Sequence, residues 1–162
     1  MRLLGNLCKH TRTSQGREGA TLAETAVVLP VFFVILFGFI EFGHVFMVIH
    51  GLNSAARRAG RLGVSETATT AEVKALATQV IGSAIPAAKA TIIVKNGDAF
   101  EVPGMDGSSV NYSTLPDIEL STAKRRQLFI VRITVPYSDI AILGPRWLGG
   151  LTVYGQSVMR KE

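Results

Sequence analysis

With 162 residues, 48% of them hydrophobic and 18% charged, the chain is long enough for one ordinary domain and too apolar to stay disordered. A mean hydropathy of +0.31 is also high for a domain with water on every side. The single cysteine, Cys8, excludes an intramolecular disulfide and a cysteine-cluster metal site; His10, His44 and His50 are too scattered for a zinc site.

The formal charge of +5 is unevenly placed. Residues 1–19 carry Arg2, Lys9, Arg12 and Arg17 against Glu18, a net +3, whereas residues 20–162 hold 13 basic and 11 acidic side chains, a net +2. A basic tail beside an apolar run sets membrane topology or meets anionic lipid. Nucleic-acid binding would need a larger basic surface with stacking aromatics.

The apolar run follows at once. Thr25 to Ile40 reads TAVVLPVFFVILFGFI, 16 residues without a charge. As a helix it spans about 24 Å, and the stretch through Ile49, broken by Glu41 and His44, spans about 37 Å. A bilayer core of about 30 Å is therefore crossed with Glu41 near one face. Nothing else in so small a chain could wrap a helix that is apolar all round, and the run exceeds a signal-peptide core. The basic leader predicts a cytoplasmic N-terminus and an exported C-terminal domain.

Gly19-Ala20-Thr21-Leu22-Ala23-Glu24 stands at the head of this run. A glycine after a basic leader, with a carboxylate five residues on, resembles a prepilin peptidase site, cut between Gly19 and Ala20. Glycine lets an extended backbone fit closely in a peptidase. A carboxylate at the edge of a membrane helix is costly unless solvated, protonated or paired. Glu24 has two readings: an interfacial carboxylate favoured by the helix N-terminus, or a partner for the Ala20 amine of a neighbouring subunit. The resemblance to pilin-like proteins implies the second, in which Glu24 sets the helix register.

The longer stretch Gly19–Gly63, with Gly19, Glu24, Leu29-Pro30, Gly38, Glu41-Phe42-Gly43, Asn53, Ala55-Ala56-Arg57 and Arg61, resembles the TadE-like family of tight-adherence (Tad, Flp) pilus systems. Thr25 stands where Phe is common in that family, and His44 where Arg or a similar polar residue is usual. The resemblance implies a small single-pass, pseudopilin-like protein of the bacterial cytoplasmic (inner) membrane. Its implied partners are the lipid bilayer, a prepilin peptidase, pilin subunits and other Tad pilus assembly proteins.

Within the helix, Pro30 predicts a mild kink. Glu41 and His44, three residues apart, can share a face as an intramembrane polar pair, or Glu41 is simply solvated at the outer interface. Gly51, Ala55, Ala59 and Gly63 form a small-residue stripe for close helix packing, either on the chain's own C-terminal domain or on another subunit. Arg57, Arg58 and Arg61 follow as a basic cluster that reads as a solvated face, with headgroup or partner binding as the alternative.

Residues 64–162 read as a small domain. Thr69-Thr70-Ala71-Glu72 resembles a capping box, followed by Val73, Leu76, Ala77, Val80 and Ile81 at helical spacing up to Ser83. Ala90–Lys95 is a predicted strand, and Asn96-Gly97 a turn signal for a hairpin into Ala99–Val102. Pro103–Thr122 is loop-rich. Leu128–Tyr137 alternates, with Phe129, Val131, Ile133 and Val135 on the expected core face, and Pro136 marks an edge or strand end. Leu151–Met159 is a last strand, and Ile140–Leu151, with Trp147, is unusually apolar for a loop.

No catalytic constellation accompanies these elements. No histidine follows His50, and Gly104 and Gly107 lie in a turn-rich loop. Asp98, Glu101, Asp106, Asp117, Glu119 and Asp139 read as solvated loop acids, and Lys124-Arg125-Arg126 as a solvated strand entrance.

The expected fold class is α+β: a long N-terminal transmembrane helix, then a small antiparallel sheet domain of three or four strands packed with one helix. The expected organisation is a basic cytoplasmic leader over 1–19, cleaved if the peptidase resemblance holds, the transmembrane helix and its extension over 20–63, and an extracytoplasmic α+β domain over 64–162. The resemblance implies a minor pilin- or pseudopilin-like membrane protein for assembly of a Tad (Flp-type) pilus and its associated secretion, and no enzymatic activity, cofactor, metal, nucleic acid or small-molecule substrate is expected. The alternative is an unprocessed, membrane-anchored extracytoplasmic binding module in which Gly19 and Glu24 are coincidental.

Overall fold

The computed structural model describes residues 15–82, 85, 89–101, 104, 110–142 and 150–162, with residues 15–18 in backbone alone. Cys8 and the basic leader through residue 14, Ser83, Val102, Asp106, Gly107 and Trp147 lie outside the described residues. The chain divides into two compact units, Met1–Phe39 and Ile40–Glu162. Helix α1, Gln15–Val64, contributes to both and continues through Pro30. In the first unit every described side chain is exposed except Gly38, which is half-buried.

In the second unit, α1 from Ile40 onward and α2 (Thr70–Ile81) pack against a sheet of β1 (Thr91–Asn96), β2 (Leu128–Pro136) and β3 (Thr152–Arg160). The strand order is β1-β2-β3, and both pairs are antiparallel. β2 is central because it alternates most regularly. Phe129, Val131, Ile133 and Val135 are fully buried, as the period of two requires, and Pro136 ends the strand where no further N–H is needed. Ile130, on the opposite face, is buried as well; a Cβ at Gly97 would lie 3.2 Å from its Cγ1.

The core joins Val48, Leu52, Ala55, Ala56 and Ala59 of α1 to Val73, Ala77 and Ile81 of α2 and the inner face of the sheet. The alanines and Gly63 let α1 lie close. A Cβ at Gly63 would stand 3.0 Å from Leu120 and from the Phe129 ring. Gly155 is where α1 crosses β3, and a Cβ there would fall within 2.5 Å of Asn53 N.

The capping box forms as its spacing predicts. Glu72 N donates to Thr69 Oγ1 at 3.2 Å, and Thr69 N donates to the Glu72 carboxylate at 2.9 Å. These bonds hold the Glu72 carboxyl below its usual range. Thr70 ties the helix start to the chain before β2: its hydroxyl donates to Ile118 O and accepts from Leu120 N, while its N–H donates to Glu119.

The hairpin expected from Asn96-Gly97 is absent. Residues Asp98–Glu101 form a 3-10 turn, and β1 pairs instead with β2, Thr91 opposite Thr134 through Asn96 opposite Phe129. Asn96 Oδ1 accepts from Asp98 N at 2.7 Å, so the Asn-Gly pair closes an Asx turn that ends the strand. A nine-residue β-branched partner further along the chain outcompetes the short Ala99–Val102 segment.

Candidate functional site

The apolar segment of α1 fits a membrane anchor. Its most apolar 18-residue window has a mean hydropathy of 2.4, and none of that window is buried. Gly19, Ala20 and Glu24 lie at its start, all exposed, and nothing would stand within 4 Å of a Cβ at Gly19. They are helical, so a protease that needs extended backbone must unwind this turn; glycine in a helix lowers that cost by about 0.5–1 kcal/mol relative to alanine. Thr25 Oγ1 donates to Thr21 O at 2.7 Å, turning a polar side chain back onto its own helix where the apolar run begins.

Glu41 and His44 both meet the segment that leaves β2. Tyr137 donates its hydroxyl to Glu41 Oε1 at 2.6 Å, and the His44 Nε2–H donates to Ile140 O at 2.8 Å. The acceptor is a carbonyl, so Nε2 is the donor in this bond. The carboxylate pushes the Tyr137 hydroxyl up to about 12, with burial adding to the effect. Both polar residues that interrupt the apolar run are thus bonded to the sheet domain. Tyr137 carries no spacing signal, because it stands 96 residues from Glu41.

The small-residue stripe divides. Ala55, Ala59 and Gly63 are buried beneath the chain's own sheet, but Gly51 is exposed, with open space where a Cβ would be. The stripe's fourth member therefore does not join this packing. Arg57, Arg58 and Arg61 are exposed, and no ion pair joins them to a carboxylate among the described residues.

Among the described residues, four acids of the sheet domain are committed locally. Asp98 accepts from Gln127 and Leu128, Asp117 pairs with Lys95 at 2.8 Å, Glu101 with Arg160 at 3.1 Å, and Asp139 with Lys89 at 3.6 Å. Lys124, Arg125 and Arg126 are exposed in the turn before β2, where Arg126 has a φ of 65°.

The partners of three further side chains carry no signal in the sequence spacing. Lys161 is buried, and its ammonium donates to the carbonyls of Gly63, at 3.4 Å, and of Ser65, capping the end of α1. Asn53 donates to Ile49 O and accepts from Gln156 N of β3 at 3.2 Å. On the outer face of the sheet, Arg132 lies between the rings of Tyr112 and Tyr154, 4.0 and 3.9 Å from their centroids.

The residues that run from Gly19 through Glu24, Glu41, Asn53 and Arg61 coincide with a known family: residues 19–61 match the family model described as TadE-like protein. The chain carries a TadE-like segment. It begins at the exposed Gly19 and ends at Arg61, so it takes in the apolar helix and the part of α1 buried under the sheet. No curated protein and no solved structure matches the chain.

Proposed function

We propose that this TadE-like protein is a membrane-anchored, pilin-like component of Tad (Flp-type) pilus assembly. The observation that carries the reading is the exposed apolar helix with Glu24 five residues after Gly19, inside the matched segment. In this reading the basic leader stays in the cytoplasm, the helix holds the protein in the inner membrane, and the sheet domain lies outside as a surface for pilin subunits and assembly proteins. A prepilin peptidase cuts between Gly19 and Ala20. Glu24 then neutralises the new Ala20 amine of a neighbouring subunit and sets the register of helix against helix. The work is packing and recruitment, not chemistry.

The test is intact mass and N-terminal analysis of the protein purified from its native membrane. A chain that begins at Ala20, and fails to mature when Gly19→Phe is introduced, supports the reading and makes Glu24→Ala the next variant. A chain that keeps Cys8 and Arg17 removes processing and the Ala20–Glu24 pair, and leaves an unprocessed anchored binding module.

A further inference from the structure

The end of the sheet domain that holds Tyr137 and Ile140 is fixed at a particular level of α1. Two hydrogen bonds do this: Tyr137 to Glu41 and His44 to Ile140. Two large apolar side chains at that end, Ile142 and Leu151, are 59% and 53% exposed. Tyr137 N donates to Leu151 O at 2.8 Å, so Leu151 stands beside the same anchor point. Along the adjoining stretch of helix, Phe42, Phe46 and Met47 are 68%, 60% and 64% exposed.

The level can be placed by arithmetic. A hydrocarbon core of about 30 Å takes about 20 helical residues, and counted from Thr25 it ends near His44. Glu41 and His44 therefore fall at the outer boundary. Whatever is bonded to them falls there too. A water-exposed rim of Ile142 and Leu151 at that level would be an unexplained apolar surface. Charge does not oppose the contact, because the nearest described acids at this end are engaged: Asp139 by Lys89 and Glu41 by Tyr137.

We infer that this rim is a second membrane contact: Ile142 and Leu151 rest in the interfacial layer of the bilayer, and the sheet domain lies against the membrane surface. The inference rests on the reading of α1 as a membrane anchor. It goes beyond that reading, since a single helix would equally allow a domain held clear of the lipid. The occupant is the bilayer; a second copy or another protein on the same rim is a different outcome.

The test uses the full chain with Cys8→Ser, reconstituted in vesicles of phosphatidylethanolamine and phosphatidylglycerol. Single cysteines at Ile142, Leu151, Phe32 and Arg125 carry a nitroxide label, and accessibility to oxygen, which collects in lipid, is compared with accessibility to a water-soluble nickel chelate. Far-UV circular dichroism checks that each variant keeps its fold. Phe32 reports the anchor; Arg125 precedes β2, at the far end of a nine-residue strand from Tyr137, about 30 Å away.

The expected result is a deep lipid signal at Phe32→Cys, a shallow lipid signal at Ile142→Cys and Leu151→Cys with nickel accessibility several-fold below that of Arg125→Cys, and an aqueous signal at Arg125→Cys. Labels at 142 and 151 as aqueous as the one at 125, with Phe32→Cys deep in lipid, would overturn the inference and leave the anchor. Labels there shielded from both reagents would overturn it in favour of a protein partner. An aqueous label at Phe32→Cys would overturn the anchor, and the rim contact with it.

Discussion

Tyr137 and Glu41, 96 residues apart, meet in a 2.6 Å hydrogen bond at the level where the apolar run of α1 is interrupted. The bond gives an interrupting carboxylate a donor within the protein. It also gives the central strand a fixed exit, because the chain turns at Tyr137–Asp139 directly after β2.

This relationship has a pH signature. The hydroxyl of Tyr137 is raised from 10.0 to about 12, so between those values the folded protein keeps a proton that the unfolded chain has lost. The stabilisation is complete below the unfolded value and falls as pH rises through the window. Urea unfolding of the full chain in detergent micelles, across that pH range, is expected to give a steeper alkaline loss for the native protein than for Tyr137→Phe. At neutral pH, Tyr137→Phe costs about 1.5–3 kcal/mol, the range for a hydrogen bond to a charged group.

Two glycines separate intramolecular packing from open surface. Gly155→Ala drives a methyl into the Leu52–Asn53 backbone, which cannot yield as a side chain would, and is expected to cost about 1–3 kcal/mol or prevent folding. Gly51→Ala meets nothing within 4 Å in an exposed helix and is expected to stabilise by up to about 1 kcal/mol. Thermal unfolding of both variants checks the opposite signs.

Lys161→Met removes the cation that caps the end of α1. The Gly63 and Ser65 carbonyls lose a donor in a buried position, and a loss of about 1–3 kcal/mol is expected in denaturant unfolding. Hydrogen exchange should quicken first in the last turn of α1 and at the Arg126 and Lys161 amides, which donate to Lys161 O and Gln127 O beside it.

Thr69→Ala removes one half of the capping box and is expected to cost about 1 kcal/mol. The loss should shrink at acid pH. Protonating Glu72, whose carboxyl is held low by its bonds to Thr69, weakens the other half in the native protein as pH falls through that range. Unfolding measured at neutral and acid pH gives the comparison.

What could be read from the sequence was what depends on near neighbours. The alternation of Phe129 to Val135, the Thr69–Glu72 box and the uncharged run from Thr25 each declare themselves within a few residues. Asn96-Gly97 misled for the same reason: its local preference for a turn was correct, but the strand that pairs with β1 begins only at Leu128. The small-residue stripe predicted close packing, and at Ala55, Ala59 and Gly63 the surface it packs on is the chain's own sheet. Tyr137 and Lys161 were not legible as partners of α1, because each contact spans 96 residues or more and has no periodic pattern.

Asn53 has a consequence for how copies of this protein can meet. β3 lies at the border of the sheet, and a bare border strand recruits other chains by backbone bonding. Here the amide side chain of Asn53 already occupies the N–H of Gln156, midway along that strand. An incoming strand would have to displace a group delivered by the chain's own helix. The β3 border is thereby guarded at its midpoint against strand-by-strand fibre growth, a hazard for any protein concentrated in the plane of a membrane.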